Sequence, residues 1–133
     1  MNSFQGTIYD LKTSGNISIV SVLIGKENYL KAVLIDTIET APHLQKNQTI
    51  KVLFKETEVV IGLDQNAKIS LQNKIKGTVS RTEKGILLSR LIINTDIGEV
   101  ISVISTDAVD QLALKEGSLV IVMVKLNEII LSQ

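Results

Sequence analysis

Few of the residue types that carry enzymatic chemistry occur in this 133-residue chain. His43 is the only histidine and cysteine is absent, so a charge-relay triad, a thiol nucleophile and a histidine or thiolate zinc site all lack members. No G-x-x-x-x-G-K-[ST] phosphate loop is present. Glu58 and Glu128 recur at matching places, but strand-like sequence flanks both, which is typical of structural carboxylates. The sequence therefore predicts a protein that binds a ligand and is not an enzyme.

A phrase that occurs twice indicates how the chain is organised. "NSFQGTI" lies at Asn2–Ile8 and "NKIKGTV" lies at Asn73–Val79, 71 residues later. After a one-residue slip the matches are 70 residues apart, and they are Gly15 with Gly85, Val33 with Val103, Leu44 with Leu114, Lys55 with Lys125, and Glu58 with Glu128. An internal repeat of this kind determines the fold more than a local motif does. The chain is interpreted as a tandem duplication with modules at residues 1–64 and 69–133.

Composition limits the partners that the chain could have. The 14 basic residues balance the 14 acidic ones, which does not favour a polyanion such as nucleic acid. No apolar run approaches the roughly 18 residues of a membrane span, and the first ten residues lack the features of a signal peptide. The absence of cysteine is compatible with a reducing compartment. We expect a cytoplasmic protein that contacts neither a membrane nor nucleic acid.

Runs rich in β-branched residues and bounded by Gly, Asn or Ser predict strands in both modules. The first half has such runs at 16–25, 29–35 and 49–62, and similar runs recur in the second half. About five strands are predicted for each module. The predicted fold class is therefore mostly all-β, with two tandem OB-like five-stranded barrels, each with a short helix.

The short helix is predicted before the fourth strand of each module. In the second module Thr106 or Asp107 is expected to cap it, and Lys115–Gly117 is expected to end it. Its predicted apolar face consists of Ala108, Val109 and Leu112. In the first module Pro42 is expected to shorten the equivalent turn.

One strand suggests an oligomer. Leu119–Val124 is apolar at every position, whereas a strand of a small barrel needs only one apolar face. The second face must then be covered, either by the sister module or by another chain. Because modules of about 65 residues have marginal cores, the oligomer is the favoured interpretation.

Three segments of the second module resemble a known family. They are "NKIKGTV" at Asn73–Val79, "LALKEG" at Leu112–Gly117 and "VKLNEIIL" at Val124–Leu131. Together they resemble the Mop domain, the TOBE-like module that binds molybdate in molbindins and in molybdate-responsive regulators. The resemblance extends over nearly the whole chain as two modules in tandem, as in the di-Mop molbindins. It implies OB-like barrels, molybdate or tungstate as the ligand, and a homotrimer of tandem chains.

The resemblance also implies which residues hold the oxyanion in the second module. The family motif before the first strand is Ser-Ala-Arg-Asn, and residues 70–73 retain its Ser and Asn but have Gln in place of Arg. The closing-strand motif Lys-Ala-Ser becomes Lys-Leu-Asn at residues 125–127. With two serines of the third strand as further donors, the implied set is Ser70, Gln72, Asn73, Ser102, Ser105, Lys125 and Leu126.

The first module matches the same motifs less completely. Asn2 alone remains of the first motif, with Met1 at the Arg position. Lys55 begins the closing motif, which continues as Glu56 and Thr57. Asn2 and Lys55 are the implied ligands of this module, and Glu56 opposes a dianion unless its carboxylate points away.

The chemistry of the ligand explains what these positions would do. Molybdate and tungstate are tetrahedral dianions, so they need converging N–H and O–H donors, one or two cations and no uncompensated carboxylate nearby. Lys125 and Lys55 would supply charge, and polar side chains with backbone N–H groups would supply directional bonds. The alternative is that both lysines are solvated edge charges and that Ser70 and Asn73 are turn residues with local backbone bonds.

The sequence leaves three functions to compare with intracellular molybdate or tungstate storage. One is the sensor module of a molybdate-responsive regulator, which would act through another polypeptide because no helix-turn-helix precedes the repeats. Another is a degenerate Mop scaffold that has lost the anion together with the motif Arg. An OB-fold nucleic-acid binder is disfavoured, because all four aromatic residues lie in the first module and the formal net charge is zero.

Overall fold

The computed structural model describes residues 1–133 as ten strands, two 3₁₀ turns and one α-helix. The first half contains β1 (Asn2–Ser14), β2 (Ile17–Ile24), β3 (Asn28–Leu34), β4 (Thr49–Phe54), a 3₁₀ turn (Glu56–Glu58) and β5 (Val60–Gly62). The second half contains β6 (Asn73–Lys84), β7 (Leu88–Thr95), β8 (Gly98–Ser105), α1 (Thr106–Gln111), β9 (Leu119–Val124), a 3₁₀ turn (Leu126–Glu128) and β10 (Ile130–Ser132). No helix combines the length and apolar character that crossing a membrane requires.

The first strand of each half is long and bends at a β-bulge. In β1 the register with β2 shifts between Ile8 and Asp10, and in β6 the register with β7 shifts between Val79 and Arg81. Before the bulge each strand also pairs with the fourth strand of its half, β1 with β4 and β6 with β9. Since a bulge increases local bending and twist, one strand serves two neighbours and each sheet curls into an OB-like half-barrel. The predicted mostly-β, tandem OB-like fold is confirmed.

The two sheets exchange their last strands. Their strand orders are β10-β4-β1-β2-β3 and β5-β9-β6-β7-β8, so each sheet takes its fifth strand from the other half of the chain. The 3₁₀ turn after β4, and its counterpart after β9, direct the chain out of one sheet and into the other. Each five-stranded sheet therefore consists of four strands from one sequence repeat and one strand from the other.

A single apolar cluster of 23 buried residues extends through both halves. Val59 and Ile129 follow the two 3₁₀ turns and are both buried in this cluster, so the exchanged segments are anchored at equivalent places. Phe54 at the end of β4 stacks on Phe4, with ring centroids 5.9 Å apart. A continuous core of this kind means that the two half-barrels stabilise one another.

Only the second half contains the predicted helix, which corrects the expectation of one helix in each module. In the first half a single turn closes where the Ala41 N–H donates to the Thr37 carbonyl at 2.7 Å. Pro42 follows and has no N–H to donate, so the turn does not propagate into a helix.

The helix α1 begins one residue earlier than predicted. Ser105, and not Thr106 or Asp107, is its N-cap, and the Ser105 Oγ accepts a hydrogen bond from the Ala108 N–H at 3.1 Å. The predicted apolar face is right, since Val109 is buried. The helix ends well before Lys115–Gly117, because Ala113 adopts a left-handed conformation with φ of 50°.

Five of the six residues of the apolar strand β9 are covered within the chain. Val120, Val122 and Val124 belong to the core cluster. Ile121 and Met123 are on the opposite face and are also buried, and β5 from the first half pairs with β9 at these residues. Leu119, on the same face, is 76% exposed. The alternative that the sister half covers this strand is thus correct for Ile121 and Met123 but not for Leu119.

The hydrogen-bond register corrects one match of the sequence repeat. Thr13 pairs with Ser18 and Lys84 pairs with Ser89, so the two halves stay 71 residues apart through the whole first hairpin. Gly85 is therefore equivalent to Ser14 and not to Gly15. The one-residue slip lies in the next turn, between β2 and β3 and between β7 and β8, since the β7–β8 connection is one residue shorter.

The glycine of the repeated Gly-Thr phrase has a packing role in both halves. A Cβ atom added to Gly77 would lie 2.5 Å from the Ile93 Cγ2, and one added to Gly6 would lie 2.6 Å from the Val22 Cγ1. Both distances are far below van der Waals contact, so a side chain at either position would push the second strand of the half-barrel away from the first. The phrase is repeated because both half-barrels need the same close approach.

We predict that Gly77→Ala destabilises the protein by overpacking this contact, by about 1–3 kcal/mol in the free energy of unfolding. Gly62→Ala is the matched control, because its added Cβ would meet only the flexible Cε end of Met123. Urea denaturation of both variants measures the difference. Equal losses for the two variants would contradict the packing role of Gly77.

Candidate functional site

The motif residues of the second half meet at one end of its sheet. Asn73 at the start of β6 pairs with Val124 at the end of β9, so Gln72 and Lys125 are the next residues on two adjacent chains. Gln72, Lys125 and Ser70 are exposed, and their side chains make no hydrogen bond or ion pair within the chain. Leu126, beside Lys125, is half-buried. The structure therefore brings together Gln72, which precedes β6, and Lys125, which follows β9.

The first half repeats this arrangement at the corresponding end of its sheet. Asn2 at the start of β1 pairs with Phe54 at the end of β4, which puts Met1 beside Lys55. The Lys55 side chain is exposed and makes no ion pair. Each sheet thus presents one exposed lysine directly after its fourth strand.

Asn73 and Asn2 make reciprocal hydrogen bonds between the halves. The Asn73 Oδ1 accepts from the Lys31 N–H at 2.8 Å, and its Nδ2 donates to the Lys31 carbonyl at 2.9 Å. Asn2 bonds in the same way to Ile101, with both distances 2.8 Å. Lys31 in β3 and Ile101 in β8 are equivalent positions of edge strands. Since a side-chain amide offers one acceptor and a donor group, as a peptide does, each asparagine caps the unpaired edge of the opposite sheet.

This geometry changes the role expected for the two asparagines. Both are buried, and their amide atoms already satisfy backbone groups. They position the adjacent motif residues, whereas the free side chains at this end of the second sheet are those of Gln72 and Lys125.

Ser102 and Ser105 lie apart from this set and have partners of their own. The fully buried Ser102 hydroxyl donates to the Val59 carbonyl at 3.3 Å, on the segment that the first half contributes after its 3₁₀ turn. Because of the strand exchange, Ser102 is therefore on the side of Asn2 and Lys55. Ser105 caps α1. Both hydroxyls have hydrogen-bond partners, whereas the side chains of Gln72 and Lys125 have none.

Glu56, next to Lys55, is engaged by other cations. Its carboxylate lies 3.4 Å from the Met1 ammonium nitrogen and 3.9 Å from the Arg90 Nε. The Arg90 Nη1 is also 3.1 Å from Glu83. The charge of Glu56 is partly compensated from the opposite half by Arg90, a contact that no motif in the sequence indicates.

Glu58 and Glu128, the recurring carboxylates, interact with each other across the two halves. Burial raises the pKa of Glu58 above its ordinary value, and a hydrogen bond with Glu128 and the negative charge of Glu128 raise it further, while Lys55 opposes the shift. The pair follows from the exchange, because each glutamate ends a 3₁₀ turn that crosses to the other sheet. The repeat itself could have indicated that equivalent residues meet at the axis relating the halves.

The site is therefore defined by cations and neutral donors. At the end of the second sheet the exposed Lys125 ammonium and the Gln72 amide have no partner within the chain. N–H and O–H donors beside a cation are suited to an oxyanion, which accepts hydrogen bonds through every oxygen.

Comparison with known proteins identifies the family. Residues 69–131 match the TOBE domain. Molybdenum-pterin-binding protein 2 of Clostridium pasteurianum is 31% identical over 64 residues, which cover 94% of that protein and 47% of this chain. The chain belongs to the Mop family of TOBE-domain proteins.

Two longer relatives match both halves of the chain. The crystal structure of the cytoplasmic molybdate-binding protein ModG with molybdate bound superposes with a TM-score of 0.90 and 28% identity, covering 98% of this chain and 94% of ModG. The molybdenum transport protein ModE of Herbaspirillum seropedicae is 28% identical over 118 residues, 87% of this chain. This chain spans only 44% of the length of ModE. The tandem organisation is thus shared with ModG over essentially its full length.

We predict that Asn73→Ala lowers the free energy of unfolding by about 1–3 kcal/mol, because the Lys31 N–H and carbonyl lose their partners. Asn94→Ala is the control, since Asn94 is exposed and its side chain makes no hydrogen bond. Thermal and urea unfolding measure the effect. If Asn73→Ala is as stable as Asn94→Ala, the hydrogen bonds to Lys31 do not hold the halves together.

A second prediction concerns pH. A carboxyl with a raised pKa binds its proton more tightly in the folded state, so its contribution to stability is present at low pH and is lost as the pH rises through the raised pKa. Glu58→Gln removes this titration and keeps a hydrogen-bonding group beside Glu128. We expect a higher unfolding temperature than wild type at neutral pH, and a smaller decline from about pH 4.3 upward.

Glu116→Gln serves as the control for this pH series, because Glu116 is exposed and on a turn. Calorimetric unfolding of the three proteins from pH 4 to 8 supplies the comparison. A Glu58→Gln protein that is less stable than wild type at neutral pH would show that the charged carboxylate is the favoured form.

Proposed function

We propose that the protein binds molybdate or tungstate in the cytoplasm and serves in its storage or homeostasis, without catalysis. The observation that carries the proposal is the adjacency of Gln72 and Lys125, both free of partners, at the end of a sheet in a chain that superposes on molybdate-bound ModG. The names of the relatives describe proteins that bind or transport molybdenum species. A binding role agrees with the donor set at this end of the sheet.

In this proposal each residue has a separate task. Lys125 supplies positive charge to the dianion, and Gln72 and Ser70 donate directional hydrogen bonds to its oxygens. Asn73 holds the strand end by its bonds to Lys31, so that Gln72 is presented at a fixed place. Leu126, half-buried beside Lys125, limits the access of water on one side.

The donors at one sheet end are too few and too exposed to enclose an anion alone. A tetrahedral dianion presents four oxygens, and exposed donors compete with water for each of them. We therefore propose that a second chain completes the site and that the assembly is a homotrimer of 14.5 kDa chains.

The second half is the stronger site in this proposal. It has a neutral asparagine after Leu126, whereas Lys55 is followed by Glu56. Although the Met1 ammonium and Arg90 partly compensate Glu56, its negative charge still lowers the local potential. An anion at Lys55 is then held less tightly than one at Lys125.

Two other functions keep a specific observation in their favour. The similarity to ModE supports a sensor module that acts with another polypeptide. Gln72, in place of the motif Arg, supports a scaffold that has lost the anion, because a guanidinium contributes both charge and paired donors whereas an amide contributes no charge.

Calorimetric titration tests the proposal. We expect heats of binding for molybdate or tungstate, and little for sulfate at moderate ionic strength. A response to all three that modest salt abolishes would indicate only screening of surface charge, and the scaffold function would then replace oxyanion binding.

The lysines provide the residue-level prediction. A hydrogen bond to a charged group contributes about 1.5–3 kcal/mol, so Lys125→Ala should weaken oxyanion binding by roughly tenfold to a hundredfold. Lys55→Ala should weaken it less, and Lys26→Ala, in the β2–β3 turn, should leave it unchanged. The three variants are titrated at one salt concentration. If Lys125→Ala binds as wild type does, the lysine is a solvated edge charge.

A further inference from the structure

The outer faces of the two half-barrels are equivalent in position but opposite in shape. Through the register of the two hairpins, Tyr9 corresponds to Ser80, and both are the extra residue of a β-bulge. Tyr29 at the start of β3 corresponds to Glu99 at the start of β8. One half therefore carries two aromatic side chains where the other has a small hydroxyl and a carboxylate.

On the first half the two tyrosines form a projecting pair. Their ring centroids are 5.1 Å apart in an edge-to-face arrangement with an interplanar angle of 65°. Tyr9 is 59% exposed and Tyr29 is 47% exposed. Ile17 and Ile19, further along the neighbouring strand, are exposed as well. Large aromatic side chains grouped in this way on a surface are typical of contact sites.

On the second half the same positions form a hollow of about 390 Å³. Its lining residues are Ser80, Arg81, Arg90, Ile92 and Glu99. Ile92 is buried, and the Ser80 hydroxyl donates to the Ile92 carbonyl at 3.0 Å, which fixes the floor. Both arginines pair with the single carboxylate of Glu83, so their two positive charges are only partly compensated. The hollow exists because Ser80 and Glu99 do not fill the space that two rings occupy in the first half.

Charges at equivalent positions are reversed between the faces. Asp10 corresponds to Arg81, and Lys12 corresponds to Glu83. When two equivalent faces meet about a local twofold axis, only the positions at the axis approach their own equivalents. With the axis at the two bulges, contact between two copies of the first face would bring Asp10 toward Asp10, whereas contact between the first face and the second would bring Asp10 toward Arg81. Electrostatic complementarity thus favours the mixed contact.

We propose that the Tyr9–Tyr29 pair of one chain docks in the Ser80–Glu99 hollow of a second copy of this chain. The guanidinium groups of Arg81 and Arg90 would lie against the ring faces, and a tyrosine hydroxyl would donate to the Glu99 carboxylate. Burial of the rings and of Ile19 supplies the apolar contribution.

The partner must be another chain, because the tyrosines of this chain are exposed and do not occupy its own hollow. In a contact between unlike faces, each chain uses its tyrosine face toward one neighbour and its hollow toward another. Such head-to-tail contacts form a closed ring when the rotation between neighbouring chains allows it. This inference rests on the proposed trimer and names the surfaces that would form it. It does not depend on the oxyanion.

Wild-type protein provides the first test, since Tyr9 and Tyr29 are the only tyrosines and the chain has no tryptophan. Tyrosine emission therefore reports on the proposed contact alone. We expect light scattering to give a mass of several chains, and acrylamide quenching of the emission to rise when dilution dissociates them. A wild-type monomer at micromolar concentration would overturn both the assembly and the contact.

Variants then separate the contact from the assembly. Tyr9→Ser with Tyr29→Glu gives the first half the residues of the second, and we expect this double variant to lose the assembly. Ile86→Ser, at a hairpin tip residue that is 95% exposed, is the control and should keep the wild-type mass. If both wild type and the double variant assemble, the chains associate but the proposed contact of Tyr9 and Tyr29 with the hollow is contradicted.

Cross-linking gives a result even if the double variant folds poorly. Because the chain has no native cysteine, single-cysteine variants can be mixed and oxidised without competing thiols. We expect a disulfide dimer from Tyr29→Cys mixed with Ser80→Cys, and none from Tyr29→Cys mixed with Ile86→Cys. A dimer from Tyr29→Cys alone, with none from the first mixture, would show that like faces meet and would overturn the proposal.

Discussion

The exchange of closing strands is the constraint on which the rest of the structure depends. Neither sheet is complete without a strand from the other half, and Val59 and Ile129 anchor the crossing segments in one shared core. A half of about 65 residues has only a marginal core of its own. The exchange turns two marginal cores into one, so unfolding of either half should remove the support of the other.

The candidate site lies where this exchange is secured. Asn73 and Asn2 each cap an edge strand of the opposite sheet, and the residues offered to an anion are the immediate neighbours of these asparagines. Binding and assembly of the two halves are therefore linked by position. A change that loosens the asparagine bonds would also move Gln72 and Lys125, even though neither residue contributes to the core.

After duplication the two halves kept the same internal contacts and diverged outside. Gly6 and Gly77 preserve the same close approach of strands. On the outer faces, in contrast, the aromatic Tyr9 and Tyr29 of the first half correspond to the small Ser80 and the charged Glu99 of the second. Internal positions are constrained by packing density in both halves, whereas outer positions are constrained only by what they contact. Divergence of this kind allows one chain to present two different surfaces.

The sequence by itself determined the duplication, the mostly-β class and the neighbourhood of Lys125, because strand periodicity, turn residues and a repeated phrase are local signals. It could not show that the helix of the first half is absent. The missing N–H of Pro42 stops a helix only where the next turn would need that donor. Only the tertiary structure decided which half completes each sheet. The partners of Asn73 and Glu58 could therefore not be predicted. They depend on which sheet the chain enters after each 3₁₀ turn, and the same residues could form the closing strand of either sheet.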